Sequence, residues 1–120
     1  MKRSGFAALL LCLSSAALAQ AAYDSVTADT ANPLDGKAEA AEAGRALFGR
    51  MNCAGCHAYD LTGGMGPDLT DGSWQYGGKP GEIFHTIADG TPRGMPAWKD
   101  KMTADEIWQL VAYIQSRKAQ

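Results

Sequence analysis

The chain has 120 residues, with 11 Lys or Arg against 13 Asp or Glu and a net charge of −2 at neutral pH. That length holds one domain of ordinary size and excludes two. No basic stripe with interleaved aromatics runs through it, so nucleic acid is excluded as the expected partner.

Residues 1–19 have the layout of a secretory signal: Lys2 and Arg3, an apolar run from Phe6 to Leu13, then small residues ending in Ala17-Leu18-Ala19. The run is interrupted by Ser14 and Ser15 and is too short for a membrane span, which needs about 20 apolar residues. A lipid-anchored Cys12 is disfavoured, because Leu11 stands where a small residue is expected. Cleavage after Ala19 would take the eleven basic residues to nine against thirteen acidic ones, a mature net charge of −4. It would also leave Cys53 and Cys56 as the two remaining cysteines.

Residues 20–37, rich in Ala, Asp, Thr and Asn with Pro33 and Gly36, show no helical or strand period and read as a flexible leader. The domain itself is expected over residues 38–120. Gly44, Leu47, Phe48 and Met51 fall at i, i+3, i+4 and i+7, an apolar helical stripe ending near Asn52. A second helix is expected from Pro80, suited to a first turn, to Asp89, with Ile83, Phe84 and Ile87 on one face and Gly90 ending it. In the third, Thr103 and Glu106 make a capping box ahead of Ile107, Leu110, Val111 and Ile114. Residues 62–66 and 71–78 are glycine-rich loops. With two Val and four Ile in the whole chain, a sheet core has little material, and the fold class is all-α.

The chemistry is concentrated in Cys53-Ala54-Gly55-Cys56-His57. Two thiols separated by two residues can reach the two vinyl groups of one porphyrin, and the following imidazole is delivered to the iron from the same side; the motif reads as a covalent haem c attachment site. A disulfide across so short a loop would add little stability. A zinc site from Cys53, Cys56, His57 and His85 lacks a second closely spaced ligand pair. A thioredoxin-like redox pair should follow a strand, and here a helical pattern precedes it.

For the sixth iron position a Met thioether would raise the potential. Met51 and Met102 read as packing residues, and Met65 lies only eight residues beyond His57. Met95, 38 residues beyond His57 and flanked by Gly94 and Pro96, is the expected ligand, with His85 as the weaker choice.

With these residues in hand, the stretch from Ala38 to Lys118 resembles the class I c-type cytochromes, small bacterial monohaem proteins among them. The resemblance rests on the haem motif, Gly94-Met95-Pro96, Gly44 and Phe48 on the first helix, and Leu110 and Tyr113 on the last. It implies a cytochrome c fold of three main helices with loops wrapped around one haem, the first and last helices crossing at a glycine. It also implies that the Pro67 carbonyl, in Gly66-Pro67-Asp68-Leu69, accepts a hydrogen bond from His57. Trp74 and Tyr76 resemble residues that meet a haem propionate, and Arg93 is a candidate for the same contact on charge grounds.

The function so implied is periplasmic single-electron transfer with His57/Met95 ligation, between a dehydrogenase donor and an acceptor such as an oxidase or another cytochrome. The expected protein is no enzyme and is monomeric when free. The alternatives are a permanent subunit of a quinoprotein dehydrogenase or oxidase, and a small peroxidase with an open sixth position. Lys79, Lys99 and Lys101 are candidates for steering an acidic partner.

Overall fold

The structure is a computed structural model in which residues 14–118 are described. Five helices follow in order: α1 (Ser15–Asp24), α2 (Ala38–Arg50), α3 (Ala54–His57), α4 (Pro80–Asp89) and α5 (Ala104–Ser116). There is no strand among the described residues.

The frame is the crossing of α2 and α5. Gly44 is why the two backbones touch: a Cβ there would overlap the Gln109 carbonyl and lie 2.8 Å from the Tyr113 Cβ. Around that point Leu47 and Phe48 from α2 pack with Leu110, Val111, Tyr113 and Ile114 from α5, and the Phe48 and Tyr113 rings meet edge to face at 5.6 Å. The period of apolar residues thus becomes one buried stripe on each helix. Thr103 caps α5 by accepting from the Glu106 N–H at 3.2 Å.

Helix α4 lies against the other side of α5, where Phe84 is fully buried and stacks on Trp108 with ring centroids 4.5 Å apart. Pro80 opens it, and Glu82 accepts from the Lys79 backbone N–H at 2.9 Å. Gly90 ends it with φ of 70°, a conformation that favours glycine.

The expectation of a flexible leader over residues 20–37 is corrected here. Tyr23, Val26 and Asn32 are buried, and Leu34 packs on the core. The Asn32 amide donates to the Trp108 carbonyl at 3.1 Å, and Lys79 pairs with Asp29 at 2.6 Å. The Thr27 carbonyl sits so close to Gly81 that a Cβ at that glycine would overlap it. Sparse anchors in a polar, alanine-rich stretch leave no period to read, yet Tyr23 and Val26 find partners on α4 and Asn32 on α5. Residues 14–22 are all exposed, so packing begins at Tyr23. Most of the expected signal segment, with Cys12, lies outside the described residues.

Candidate haem site

The Cys53–His57 segment folds as the single turn α3, entered through Asn52 with φ of 59° and left through Ala58 with φ of 63°. Non-glycine residues at positive φ are costly, and two of them bracketing the motif mark a turn held in place by its surroundings. Cys53 and Cys56 are free and half-buried, while His57 is buried. Burial pushes the Cys53 thiol up to about 11, so that it is held neutral at physiological pH.

The loop after α3 wraps back over the imidazole. Gly63 N–H donates to the His57 carbonyl at 2.9 Å, Gly66 N–H to the Cys56 carbonyl at 2.8 Å, and Leu69 N–H to the Leu61 carbonyl at 2.8 Å. A Cβ on Gly66 would lie 2.8 Å from the imidazole Cε1, so only glycine lets the loop close this tightly. Closure brings the Pro67 carbonyl to 2.9 Å from His57 Nδ1. A carbonyl only accepts, so Nδ1 carries the proton, and the lone pair of the neutral ring is left on Nε2. No buried side-chain nitrogen or oxygen among the described residues is without a partner. Among the described residues Nε2 has no hydrogen-bond partner. Two half-buried thiols and an imidazole with its tautomer set are a donor set that fits haem c.

The methionines separate by environment. Met65 stands 89 % exposed at the tip of the glycine loop, and Met102 is buried beneath α5. Met51 ends α2 and is half-buried against the core. Met95, also half-buried against the core, lies on the segment between α4 and α5. Its loop is closed by Thr91 N–H to the Met95 carbonyl at 3.0 Å and Gly94 N–H to the Thr91 carbonyl at 3.2 Å. Gly94 has φ of 112°.

Of the other expected contacts, Trp74 is half-buried against the core and packs on Gly78, and Arg93 is exposed. Tyr76 lines an open cavity of about 310 Å³ with Glu82, His85 and Asp89, none of whose lining residues belongs to the haem motif. His85 is engaged by the Val26 carbonyl at 2.7 Å and Asp89 at 3.1 Å. No group of three or more His, Cys, Asp or Glu is placed to hold a metal ion among the described residues, so His85 does not complete a zinc quartet with the motif. Lys79 pairs with Asp29 and Lys99 with Asp89, while Lys101 lies 5.4 Å from the Trp98 ring centroid; two of the three lysines are thus balanced by carboxylates. The residues that sequence reasoning missed are Tyr23, Val26 and Asn32. Asn32-Pro33 was their one local signal, an Asx turn in which Asn32 Oδ1 accepts from Leu34 N–H at 2.9 Å.

An all-helical chain built on this crossing, with the Cys-X-X-Cys-His turn beneath it, is a class I c-type cytochrome domain, with haem c bound through Cys53 and Cys56. Comparison with known sequences agrees, and narrows the class: residues 39–114 match the family described as "Cytochrome C oxidase, cbb3-type, subunit III", and the chain belongs to that family. A curated relative, the Cbb3-type cytochrome c oxidase subunit FixP of Sinorhizobium medicae, is 41% identical over 109 residues, covering 82% of this chain and 37% of the relative. Cytochrome c-L of Methylorubrum extorquens is 34% identical over 73 residues, 59% of this chain and 36% of that protein. Among solved structures, cytochrome CL of Methylophaga aminisulfidivorans superposes with a TM-score of 0.65 at 30% identity, over 73% of this chain and 59% of that one. The chain thus spans little more than a third of the curated relatives it matches. No helix among the described residues is long and apolar enough to cross a membrane.

Proposed function

We propose that this cytochrome is an exported single-electron carrier whose iron is held by His57 and Met95. The observation that carries the reading is the pinned imidazole: Pro67 fixes Nδ1 as the donor and leaves Nε2 as the ligand atom. When bound, the haem supplies one-electron gain and loss. The chain's part is to hold the ligand set constant through that change, because small rearrangement makes transfer fast. His57 is fixed by Gly66 and Pro67, and Met95 by the bonded turn from Thr91 to Gly94. Two protein ligands leave no position at the iron for a substrate, which favours a carrier over a peroxidase. Cys53 and Cys56 would hold the haem covalently, each through a thioether to one vinyl group.

The exposed run from residue 14 to residue 22, followed by packing from Tyr23, supports signal cleavage near Ala19 and a periplasmic location. Donor and acceptor are read as a dehydrogenase and an oxidase or other cytochrome. The family's oxidase-subunit description favours a second reading, in which the domain is a permanent oxidase subunit with the same haem chemistry.

The test of the ligand set is Met95→Ala in matured protein. The oxidised form is expected to lose its sulfur-to-iron charge-transfer band and the potential to fall. Persistence of that band would remove Met95 from the iron. Gel filtration of the native protein against co-purification with an oxidase separates the carrier from the subunit.

A further inference from the structure

The geometry points to Tyr23 as a positioning residue for the Met95 loop, clamping the turn that follows it from outside the haem domain's sequence core. The inference rests on Met95 being the sixth ligand.

Three residues beyond Met95 the chain makes a tight turn, residues 98–102. Its N–H groups are anchored to the end of α4: Trp98 donates to the Ile87 and Ala88 carbonyls at 3.1 Å, and Lys99 to the Ala88 carbonyl at 3.1 Å. Within the turn Lys101 and Met102 donate to the Trp98 carbonyl at 2.9 and 3.0 Å. The carbonyls of Lys99 and Met102 are both taken by a single group, the Tyr23 hydroxyl, which lies 3.0 Å from the Lys99 oxygen and closer still to that of Met102. One phenolic proton is therefore shared between two acceptors at the two ends of the turn. Burial, with Glu106 and Asp100 nearby, pushes the phenol above its ordinary range and keeps it a donor. The ring is fixed by packing on Phe84, with centroids 5.9 Å apart.

Tyr23 itself is tied down along the strap that follows it. Val26 is buried, its carbonyl engages His85, and Thr27 abuts Gly81 at the start of α4. Asn32 makes the far attachment, to α5 at Trp108. The Met95 loop is therefore held between α4 on one side and Tyr23 on the other, and the two anchors come from segments more than sixty residues apart in the sequence.

An external ligand reaches the iron only when the methionine loop opens, so its apparent affinity measures the open fraction. Imidazole titration of the oxidised, matured protein reads this directly. Tyr23→Phe keeps the ring and removes the shared bond, and is expected to tighten apparent imidazole binding roughly fivefold, the size of one net hydrogen bond, and to lower the potential. Asn32→Ala cuts the strap's far end and should lower the melting temperature without changing imidazole affinity. Affinity within twofold of the parent in Tyr23→Phe, or an equal tightening in Asn32→Ala, overturns the assignment. If Tyr23→Phe does not mature, Val26→Ala loosens the strap beside an intact phenol and is expected to tighten binding by a smaller factor; no change there overturns the assignment as well. Met95→Ala separates this inference from the ligand reading: a charge-transfer band that survives it refutes Met95 as ligand, whatever Tyr23 does.

Discussion

The α2–α5 crossing and the two loops that flank the haem motif and carry Pro67 and Met95 are built on opposite principles. At the crossing, apolar side chains meet in continuous burial, and Gly44 brings backbone to backbone. In the loops over residues 58–79 and 90–102, order comes from backbone hydrogen bonds, Asx turns at Asp60, Asp68 and Asp71, and residues at positive φ. A helix crossing is stabilised by the area it removes from water. A glycine-rich loop buries little and has more chain entropy to lose, so its order rests on such bonds and turns. Pro67 and Met95 belong to the second kind of region, Cys53, Cys56 and His57 to the single turn of α3 that precedes it, and the crossing supplies the frame for all of them.

The largest expected effect tests whether the frame stands alone. Cys53→Ala/Cys56→Ala removes the covalent attachment and is expected to abolish cooperative melting in far-ultraviolet circular dichroism, because a domain of this size buries a limited core without the haem. A native-like melt in that variant would show the crossing to be self-sufficient. Next in size is Gly44→Ala, whose methyl would overlap the Gln109 carbonyl and force the helices apart. A cost of about 3 kcal/mol is expected, with a fall in melting temperature of roughly 10–20 °C.

Ala58→Gly probes the loop side with the opposite sign. Ala58 is held at φ 63° and ψ 158°, a region that suits glycine. Relief of that strain is expected to raise stability by about 1 kcal/mol in denaturant unfolding, with the visible spectrum unchanged. The smallest effect concerns Asp68, beside Pro67. Its carboxylate accepts from Thr70 N–H and Thr70 Oγ1, both at 2.7 Å, and these bonds hold it below the usual carboxylate range. A depressed carboxyl group stabilises the fold above its unfolded titration range, near pH 4, and that contribution disappears as pH falls through the folded value. Asp68→Ala should therefore melt slightly below the parent at neutral pH, and the gap should close on acidification; a gap independent of pH would show that the bonds are not the cause.

Helices α2, α4 and α5, the haem motif and the loop positions were legible in the sequence because each is a local pattern. Apolar spacing from Gly44 to Met51 and from Ile107 to Ile114 shows which face of a helix is greasy, and Pro80 and Gly90 mark ends. The short helix α3 was not legible, since four residues hold no period, and only half of the expected Thr103/Glu106 box forms among the described hydrogen bonds. The strap from Tyr23 to Leu34 was read as leader because its anchors are scattered among small polar residues, and their partners on α4, α5 and the turn between them lie far along the chain.

What the sequence determined by itself was the chemistry of attachment and the class of fold, since two thiols and an imidazole at that spacing and three amphipathic stretches are properties of neighbouring residues. Tertiary structure alone decided which nitrogen of His57 is left with its lone pair, which methionines are buried and which stands in water, and that Tyr23 meets the carbonyls of Lys99 and Met102. Those outcomes depend on closing long stretches of chain onto one another, and no local pattern records where a closed loop will land.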